Sequence, residues 1–257
     1  MSLPASPKTI LITGATGGIG SALAIAYAGP GQCLILQGRN AEGLAQLAAR
    51  CQALGARVIT QVLDVRQLEA LTAWLHQVSA QECIDLVIVN AGVNTHVKAD
   101  GSGEDWVAVQ ALIATNVLAA MATVTAVLPA MRSRGAGQVA LVSSLAAYFG
   151  LPITPSYCAS KAALKAYGEA LRGGLSAQGI CVNVVMPGYV QSPMCTDMPG
   201  PKPFLWTAEK AALAIQRGLA RNQARISFPF PLNLGTWFLA VLPPSWSTRI
   251  LQWLHYA

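Results

Sequence analysis

The chain has 257 residues, of which 53% are hydrophobic and 11% are charged. This length suits one α/β domain over residues 1–257, and the composition predicts a large buried interior, which excludes a disordered or fibrous protein. The net charge of +6 comes mostly from scattered arginines, and no run of like charges indicates a nucleic-acid-binding tail. We therefore expect no nucleic-acid partner.

The cysteines lie far apart, without a C-x-x-C pair or a histidine at metal-ligand spacing. We predict reduced, mostly packed thiols and no metal site. The N-terminus leads almost directly into the apolar run at 8–13, without the apolar region and cleavage site of a signal peptide. Together these features predict a cytoplasmic protein.

Short apolar runs rich in β-branched residues alternate with longer Ala- and Leu-rich stretches. Strands are predicted at 8–13, 33–37, 57–62, 85–89, 137–142 and 180–185, with a weaker one at 225–228. Helices are predicted at 18–28, 41–54, 66–80, 104–133 (whole or broken), 155–178 and 207–220. Such alternation predicts an α/β fold of the doubly wound type, with a parallel sheet covered by helices on both faces.

The pattern changes near the C-terminus. Four prolines prevent a long helix in the segment 189–206, which we interpret as a substrate loop or an irregular connection. The stretch 226–248 has no charged residue, but its prolines make it a poor transmembrane helix. We predict that residues 226–257 form an apolar cover or a subunit contact. Membrane-surface docking through Trp237, Phe238 and Trp253 is a less favoured alternative.

A glycine-rich turn follows the first predicted strand and leads into a helix. It reads Thr13-Gly14-Ala15-Thr16-Gly17-Gly18-Ile19-Gly20. A phosphate at such a turn meets backbone N–H groups and the positive end of the helix dipole, and glycine is needed where a side chain would strike the phosphate or φ is positive. The spacing differs from the G-x-G-x-x-G of ordinary dinucleotide domains, so a purely structural turn is the alternative.

The second predicted strand ends in Leu36-Gln37-Gly38-Arg39-Asn40. An acidic residue there would bind the adenosine ribose hydroxyls and favour NAD, and none is present. Gly38 leaves space, and Arg39 can pair with a 2′-phosphate through charge-assisted hydrogen bonds. We therefore predict NADP(H) as the cofactor, with Arg39 and Asn40 at its 2′-phosphate; a solvated Arg39 is the alternative.

Two further segments follow predicted strands. Asp64, with Val65 after it, is a candidate acceptor for the adenine amino group, or else an N-cap of the next helix. Asn90-Ala91-Gly92 ends the fourth strand, at the edge where doubly wound sheets bind ligands, and its small residues would let a ribose approach the backbone. An ordinary strand-ending turn is the alternative for that segment.

Tyr157 and Lys161 lie one turn apart near the start of a predicted helix. A free tyrosine titrates near pH 10, and an ammonium helped by an oxidised nicotinamide would lower that pKa. Tyr157 is then a candidate general acid or base for a carbonyl or alcohol oxygen, and Lys161 a ligand of the nicotinamide ribose. Ser144, at the end of a predicted strand, is a candidate for holding the substrate oxygen. Taken alone, Tyr-x-x-x-Lys also occurs on solvated helix faces.

The chain resembles the short-chain dehydrogenase/reductase family in its single-domain branch. The matching pieces occur in the family's order across residues 8–195: Thr13-Gly14-x-x-x-Gly18-Ile19-Gly20, Asp64, Asn90-Ala91-Gly92, Asn116, Ser143-Ser144, Tyr157-x-x-x-Lys161 and Pro187-Gly188. The resemblance implies a Rossmann-like, seven-stranded parallel sheet. It also implies that Ser144, Tyr157 and Lys161 are catalytic, and that homodimers or homotetramers form through the helices holding Asn116 and Tyr157.

The resemblance implies further roles. Asn116 would hold a water that links Lys161 to solvent. The segment 187–192, which begins at Pro187, would pass beside the nicotinamide. Gly188 would keep the ring face open, and the Val190 backbone would bind the carboxamide. Ser192 stands where the family often has Thr. Val89 replaces the first Asn of the family's Asn-Asn-Ala-Gly, and beyond residue 195 no substrate signature is recognised.

These features predict a carbonyl reductase that uses NADPH on a small, apolar ketone or alcohol. Candidate pocket residues by position are His96, Tyr148, Phe149, Tyr189, Met194 and Trp206, for each of which core packing is an equal alternative. Two other functions stay open: a dinucleotide-binding sensor or scaffold with little turnover, and a membrane-associated reductase of a lipid-like substrate.

Overall fold

The computed structural model describes residues 7–98, 100–198 and 200–254. Its strands are β1 (Thr9–Ile12), β2 (Cys33–Gly38), β3 (Arg57–Val62), β4 (Leu86–Val89), β5 (Gly137–Val142), β6 (Ile180–Pro187) and β7 (Arg225–Phe228). They form a seven-stranded sheet in the order β3-β2-β1-β4-β5-β6-β7, and every neighbouring pair is parallel. The order reverses between β1 and β4, which is where doubly wound sheets bind their ligands.

Helices connect the strands. They are α1 (Gly18–Tyr27), α2 (Ala41–Ala53), α3 (Leu68–Gln81), α4 (Trp106–Ile113), α5 (Ala120–Arg134), α6 (Pro155–Leu175), α7 (Pro193–Asp197), α8 (Ala208–Ala220), α9 (Leu232–Val241) and α10 (Pro244–Trp253). A π-helical segment, Ala114–Ala119, joins α4 to α5, and short 3₁₀ turns occupy Leu145–Ala147 and Ser176–Gln178. The predicted Rossmann-like fold is confirmed, and the ends of the predicted elements either coincide with the observed ends or differ from them by at most three residues.

The two faces of the sheet bury different helices. Alternate side chains of a strand point to opposite faces, so Ile10 and Ile12 pack with α1, α2 and α8, whereas Leu11 packs with α3, α5 and α6. The central strands are apolar on both faces, as a parallel sheet between two helical layers requires.

The helix predicted at 104–133 is continuous from Trp106 to Arg134, although its middle turn is π-helical. By length and composition alone it would be long enough to cross a membrane. Its residues Val124, Val127 and Met131 are instead part of the core beneath the sheet. The apolar character of this helix is therefore explained by its packing in the fold.

Three short helices near the C-terminus are absent from the sequence-based prediction. The prolines that we interpreted as interruptions mark helix starts: Pro193 and Pro244 occupy the first turns of α7 and α10, and Pro231 precedes α9. Proline suits these positions because the first helical N–H groups need no partner within the helix. The prolines therefore do interrupt the stretch 226–248, as predicted, and divide it into α9 and α10, two helices that the sequence-based prediction did not contain.

The segment 226–257 covers one end of the sheet as far as it is described. Leu239 of α9 and Leu251 of α10 are buried, whereas Trp237, Trp246 and Trp253 face outward. In the loop 189–206, the backbones of Val190 and Trp206 pair at its base. Residues 199 and 255–257 lie outside the described residues, so the one-domain division over residues 1–257 stays a prediction.

Helix α6 lies close to the sheet at Gly168. A β-carbon on Gly168 would lie 2.6 Å from Val184 Cγ2 and 2.8 Å from Leu141 Cδ1. Because this helix also carries Tyr157 and Lys161, the close approach at Gly168 helps to set the distance of both side chains from the sheet.

Gly168→Ala is expected to lower the free energy of unfolding by about 1–3 kcal/mol, because the added methyl group overpacks the contact with β5 and β6. Urea denaturation measures the change. Gly173→Ala is the matched control on the same helix, since a β-carbon there meets nothing within 4 Å. That control should be stabilising by about 0.5–1 kcal/mol, because alanine is the better helix former. Equal effects of the two substitutions would contradict this account.

Candidate active site

The glycine turn lies against the end of β4. Gly14 has a φ of +63°, as expected for one of these glycines, and its β-carbon would lie 2.7 Å from Ala91 Cα. A β-carbon on Gly18 would lie 2.8 Å from Ser192 Cβ, and one on Gly20 would lie 2.5 Å from Gly14 O. Glycine is thus required at positions 18 and 20 by protein neighbours, a reason that adds to the phosphate contact and the positive φ expected from the sequence.

The N-terminus of α1 faces a cavity. Gly17 is the N-cap, it offers no side-chain cap, and the first turn contains no acidic residue. Gly14, Thr16, Gly17, Gly18 and Ile19 line the cavity, whereas Gly20 does not. An uncapped helix start with backbone donors and a positive dipole end suits a diphosphate. These residues therefore fit a dinucleotide.

Three polar side chains hold this turn in place, and two of them, Thr13 and Gln37, had no role of their own in the prediction from sequence. Thr13 Oγ1 accepts the N–H groups of Asn90 and Ala91, each at 3.1 Å. Gln37 Oε1 accepts the Gly14 N–H at 3.1 Å, and Gln37 Nε2 donates to Leu63 O at 2.6 Å. The Asn90 amide donates to the carbonyls of Thr13 and Gly14. The one signal in the sequence for Gln37 is that it is a polar residue within the otherwise apolar strand β2.

The residues after β2 and β3 form the rim of the cavity. The Arg39 side chain is exposed and forms no ion pair within the described chain. Asn40 caps α2 by accepting the Gly43 N–H at 3.0 Å. Asp64 pairs with Arg66 at 2.6 Å, and this hydrogen bond lowers the pKa of Asp64. The N-cap of α3 is Gln67, so the alternative of Asp64 as the cap was wrong.

Tyr157 and Lys161 share one buried face of α6. The Lys161 ammonium nitrogen donates to Val142 O at 3.0 Å and lies 5.6 Å from the centre of the Tyr157 ring. Burial lowers the pKa of Lys161 to about 8 and raises the pKa of Tyr157 to about 12. Without a dinucleotide, burial therefore has a larger effect on the pKa of Tyr157 than any stabilisation of the phenolate. That Lys161 and an oxidised nicotinamide together lower this pKa stays a prediction.

Ser144 stands next to Tyr157 at the end of β5. A hydrogen bond with Ser144 lowers the pKa of Tyr157, although burial raises it by more. The Ser144 hydroxyl also accepts the Ala146 N–H at 3.1 Å. Its neighbour Ser143 donates to Lys161 O at 2.7 Å and so ties α6 to the end of β5. No pattern in the sequence assigned Ser143 a role of its own.

Asn116 lies in the π-helical segment and is fully buried. Its Oδ1 accepts the Val93 N–H at 2.8 Å, and its Nδ2 donates to Val93 O at 2.9 Å and to Ser160 Oγ at 3.0 Å. Ser160 in turn donates to Tyr157 O at 2.8 Å. Protein partners contact both ends of the amide, Asn116 does not line the cavity, and its role in holding a water that links Lys161 to solvent stays a prediction.

The segment 187–192 passes from β6 to α7 along the cavity. Pro187, Gly188, Val190 and Ser192 line it, and Ser192 caps α7 by accepting the Cys195 N–H at 3.1 Å. A β-carbon on Gly188 would lie 2.9 Å from Pro229 Cδ and 3.0 Å from Leu232 Cδ2. Glycine here is required by the C-terminal cover, and its role at the nicotinamide ring stays a prediction.

The candidate pocket residues divide into two groups. Phe149, Tyr189 and Met194 line the cavity, whereas His96, Tyr148 and Trp206 do not. Trp206 stacks on Phe228 with ring centres 4.9 Å apart. Packing was therefore the correct alternative for Trp206.

One cavity of about 840 Å³ brings the predicted site together. Every predicted cofactor-binding and catalytic residue lines it except Gly20 and Asn116. The glycine turn, Arg39 and Asp64 lie in one part of its wall, and Ser144, Tyr157 and Lys161 lie in another. Within residues 7–98, 100–198 and 200–254, no three His, Cys, Asp or Glu side chains cluster in a way that could hold a metal ion.

The chain belongs to the short chain dehydrogenase family, whose family model matches residues 8–201. An uncharacterized oxidoreductase of Myxococcus xanthus is 37% identical over 93% of this chain and 94% of its own length. Ketoacyl reductase HetN of Nostoc sp. is 32% identical over 96% of this chain and 88% of its own length. The protein is therefore an oxidoreductase of this family.

A solved structure extends the similarity. The short-chain dehydrogenase from Sphingobium yanoikuyae in complex with NADPH superposes with a TM-score of 0.79 at 25% identity, over 87% of this chain and 88% of its own. The seven-stranded parallel sheet and the helices around it are therefore the fold of this family.

Proposed function

We propose that the protein is an NADP(H)-dependent oxidoreductase that interconverts a carbonyl and an alcohol, with Tyr157 as general acid and base. The observation that carries this proposal is the meeting of Ser144, Tyr157 and Lys161 in the wall of the cavity that the glycine turn also lines. The name of the ketoacyl reductase relative supports a carbonyl substrate.

A nicotinamide dinucleotide, when bound, would supply or accept the hydride. Gly14, Thr16 and the residues of the α1 N-terminus would hold its diphosphate, Asp64 and Val65 its adenine, and Asn90, Ala91 and Gly92 its ribose. The fit rests on the uncapped start of α1 and on the absence of an acidic residue at the end of β2. The fold alone does not choose between NAD and NADP, so the NADP preference rests on Arg39.

The chain's own residues would manage the proton. During reduction, Tyr157 gives its hydroxyl proton to the substrate oxygen as the carbonyl carbon gains the hydride, so an alcohol and a phenolate result. The Ser144 hydroxyl holds that oxygen. Lys161, whose pKa of about 8 lies near neutrality, stabilises the phenolate and returns a proton to it. Asn116 positions Tyr157 through Ser160, and a water held at Asn116 would link Lys161 to solvent.

Arg39→Ala is expected to weaken NADPH binding about 10- to 100-fold, because one charge-assisted hydrogen bond is worth roughly 1.5–3 kcal/mol. The affinity for NADH should change less than about threefold, since NADH has no 2′-phosphate. Nicotinamide fluorescence in parallel titrations measures both constants.

Arg50→Ala, an exposed arginine at the far end of α2, controls for the loss of one positive charge. Arg50→Ala should leave the preference for NADPH over NADH unchanged. Wild-type protein that binds NADH more tightly than NADPH would overturn the cofactor assignment.

Tyr157→Phe should lower turnover about 10²- to 10⁴-fold. Reduction needs the protonated hydroxyl, so its rate falls as the pH rises through the pKa of Tyr157; oxidation needs the phenolate and shows the opposite trend. Ser144→Ala should shift both profiles to higher pH, because it removes the hydrogen bond that lowers this pKa. Profiles of kcat/KM measured in both directions test the assignment, and unshifted profiles in Ser144→Ala would contradict it.

We also propose a homodimer through the surface of α4, α5 and α6. Trp106 and Val107 are 67% and 71% exposed, and Leu118 is 49% exposed. Ala159, Ala162, Ala166 and Ala170 form an exposed row on α6 that would allow close helix packing. A face of this kind, apolar and exposed within the described part of the chain, is typical of subunit contacts.

Leu118→Glu should convert the dimer to a monomer, because it buries an unpaired charge in the contact. Light scattering after gel filtration measures the mass. Leu54→Glu introduces the same change at an exposed leucine after α2, away from this surface, and should remain dimeric. A monomeric wild-type protein would refute the proposal.

A cytoplasmic location belongs to the same proposal. All six cysteines are free thiols, which suits a reducing compartment. Cell fractionation tests it, and recovery of the protein outside the cytoplasm would contradict it.

A further inference from the structure

The cavity extends beyond the catalytic residues, to a part that the dinucleotide assignment does not use. This part, which we call the distal chamber, lies under the C-terminal cover. Its wall comes from the loop 193–204 and from α9 and α10, and it is lined by Phe149, Met198, Leu232, Leu239, Ile250 and Leu251.

The distal chamber contains no charged side chain among the described lining residues. The charged residues that line the whole cavity are Arg39, Asp64 and Lys161, and all three belong to the cofactor and catalytic parts. The hydroxyl of Thr236 in the chamber wall already donates within α9, to Leu232 O at 3.0 Å. A carboxylate or phosphate on the substrate would therefore find no partner here, and its desolvation would be uncompensated.

The opening of the chamber is also apolar. Met194, Phe204, Phe238 and Leu254 line the cavity and are at the same time 38%, 53%, 52% and 43% exposed. Residues that are both lining and exposed form the rim of the opening. Lys202 and Arg249 are close in sequence to this rim, but neither lines the cavity.

We propose that the substrate is a ketone or aldehyde with a long, uncharged apolar chain, which the distal chamber binds while its carbonyl oxygen meets Ser144 and Tyr157. This inference rests on the proposed function and names its substrate class. The reacting oxygen has two hydroxyl partners at the inner end, and the remainder of the substrate contacts mainly aliphatic and aromatic groups, since the Thr236 hydroxyl in the wall is already used within α9. A chain longer than the chamber leaves through the apolar rim.

The proposal predicts a steep dependence on chain length. Burial of one methylene is worth roughly 0.8 kcal/mol, so kcat/KM with NADPH should rise about fourfold for each added methylene from 2-butanone to 2-octanone. The rise should level off once the chain reaches the rim. As a matched pair, 6-oxoheptanoate should react at least about tenfold more slowly than 2-heptanone, because its carboxylate must enter the chamber.

Two leucines of α9 provide matched variants. Leu239 lines the chamber and is 9% exposed, whereas Leu234 is 53% exposed and does not line it. Leu239→Ala should lower kcat/KM for 2-octanone about tenfold or more and leave 2-butanone within about twofold, since only the long chain reaches the lost side chain. Leu234→Ala should affect neither ketone. If Leu239→Ala unfolds, the wild-type chain-length series still decides the question.

Product binding separates this inference from the proposed function. Calorimetric titration of 2-octanol and 2-butanol into the protein with NADPH present measures the chamber without turnover. Tight 2-octanol binding with no reduction of any ketone would support the apolar chamber and count against the reductase proposal. Equal kcat/KM for 2-butanone, 2-octanone and 6-oxoheptanoate would overturn the inference and leave the reductase intact. Absence of both turnover and chain-length-dependent binding would overturn both.

Discussion

The site depends on one contact, between the glycine turn after β1 and the end of β4. The positive φ of Gly14 and its approach to Ala91 leave no space for a side chain, and the Asn90 amide binds the carbonyls of Thr13 and Gly14. This contact forms where the strand order reverses, which is where the crevice of a doubly wound sheet lies. The residues of the contact therefore form the base of that crevice. Asn90 therefore contributes first to the shape of the turn, and any contact with a ribose depends on that shape.

Burial is the second determinant, because it sets the chemistry of the Tyr157–Lys161 pair. Lys161 donates to a backbone carbonyl, and burial lowers its pKa to about 8, whereas burial raises the pKa of Tyr157 to about 12. Both shifts favour the neutral forms of the two groups. The protein without cofactor thus keeps a neutral acid beside a lysine that exchanges protons near neutrality, and Ser143 and Gly168 hold the helix that carries them. The packing of α6 thus fixes the positions of Tyr157 and Lys161, and the burial of the two side chains sets their pKa values.

The sequence predicted the features that are local or periodic. Parallel strands buried on both faces are apolar throughout, and the spacing of the glycine turn and of Tyr157 and Lys161 carried the family resemblance. Several of the missed features depend on partners distant in sequence, whereas the pairing of Asp64 is local. Asp64 pairs with Arg66 and does not cap α3, and the amide of Asn116 is used by Val93 and Ser160. Gln37 reaches both Gly14 and Leu63, which no pattern within β2 could indicate. The prolines of the C-terminal region begin helices, because proline has no N–H to donate and suits a first turn.

The two parts of the cavity wall come from different parts of the chain, and this has a consequence for substitutions. The family model ends at residue 201, whereas much of the distal chamber wall comes from α9 and α10, beyond that boundary. Described contacts of α9 run to β7 and to the 145–147 turn, and α10 packs on α9. Mutations in these two helices can therefore change the shape of the chamber without altering the glycine turn or the position of Tyr157. Substitutions in α9 and α10 are therefore the ones that would alter the proposed substrate chamber and leave the family-matched region, residues 8–201, unchanged.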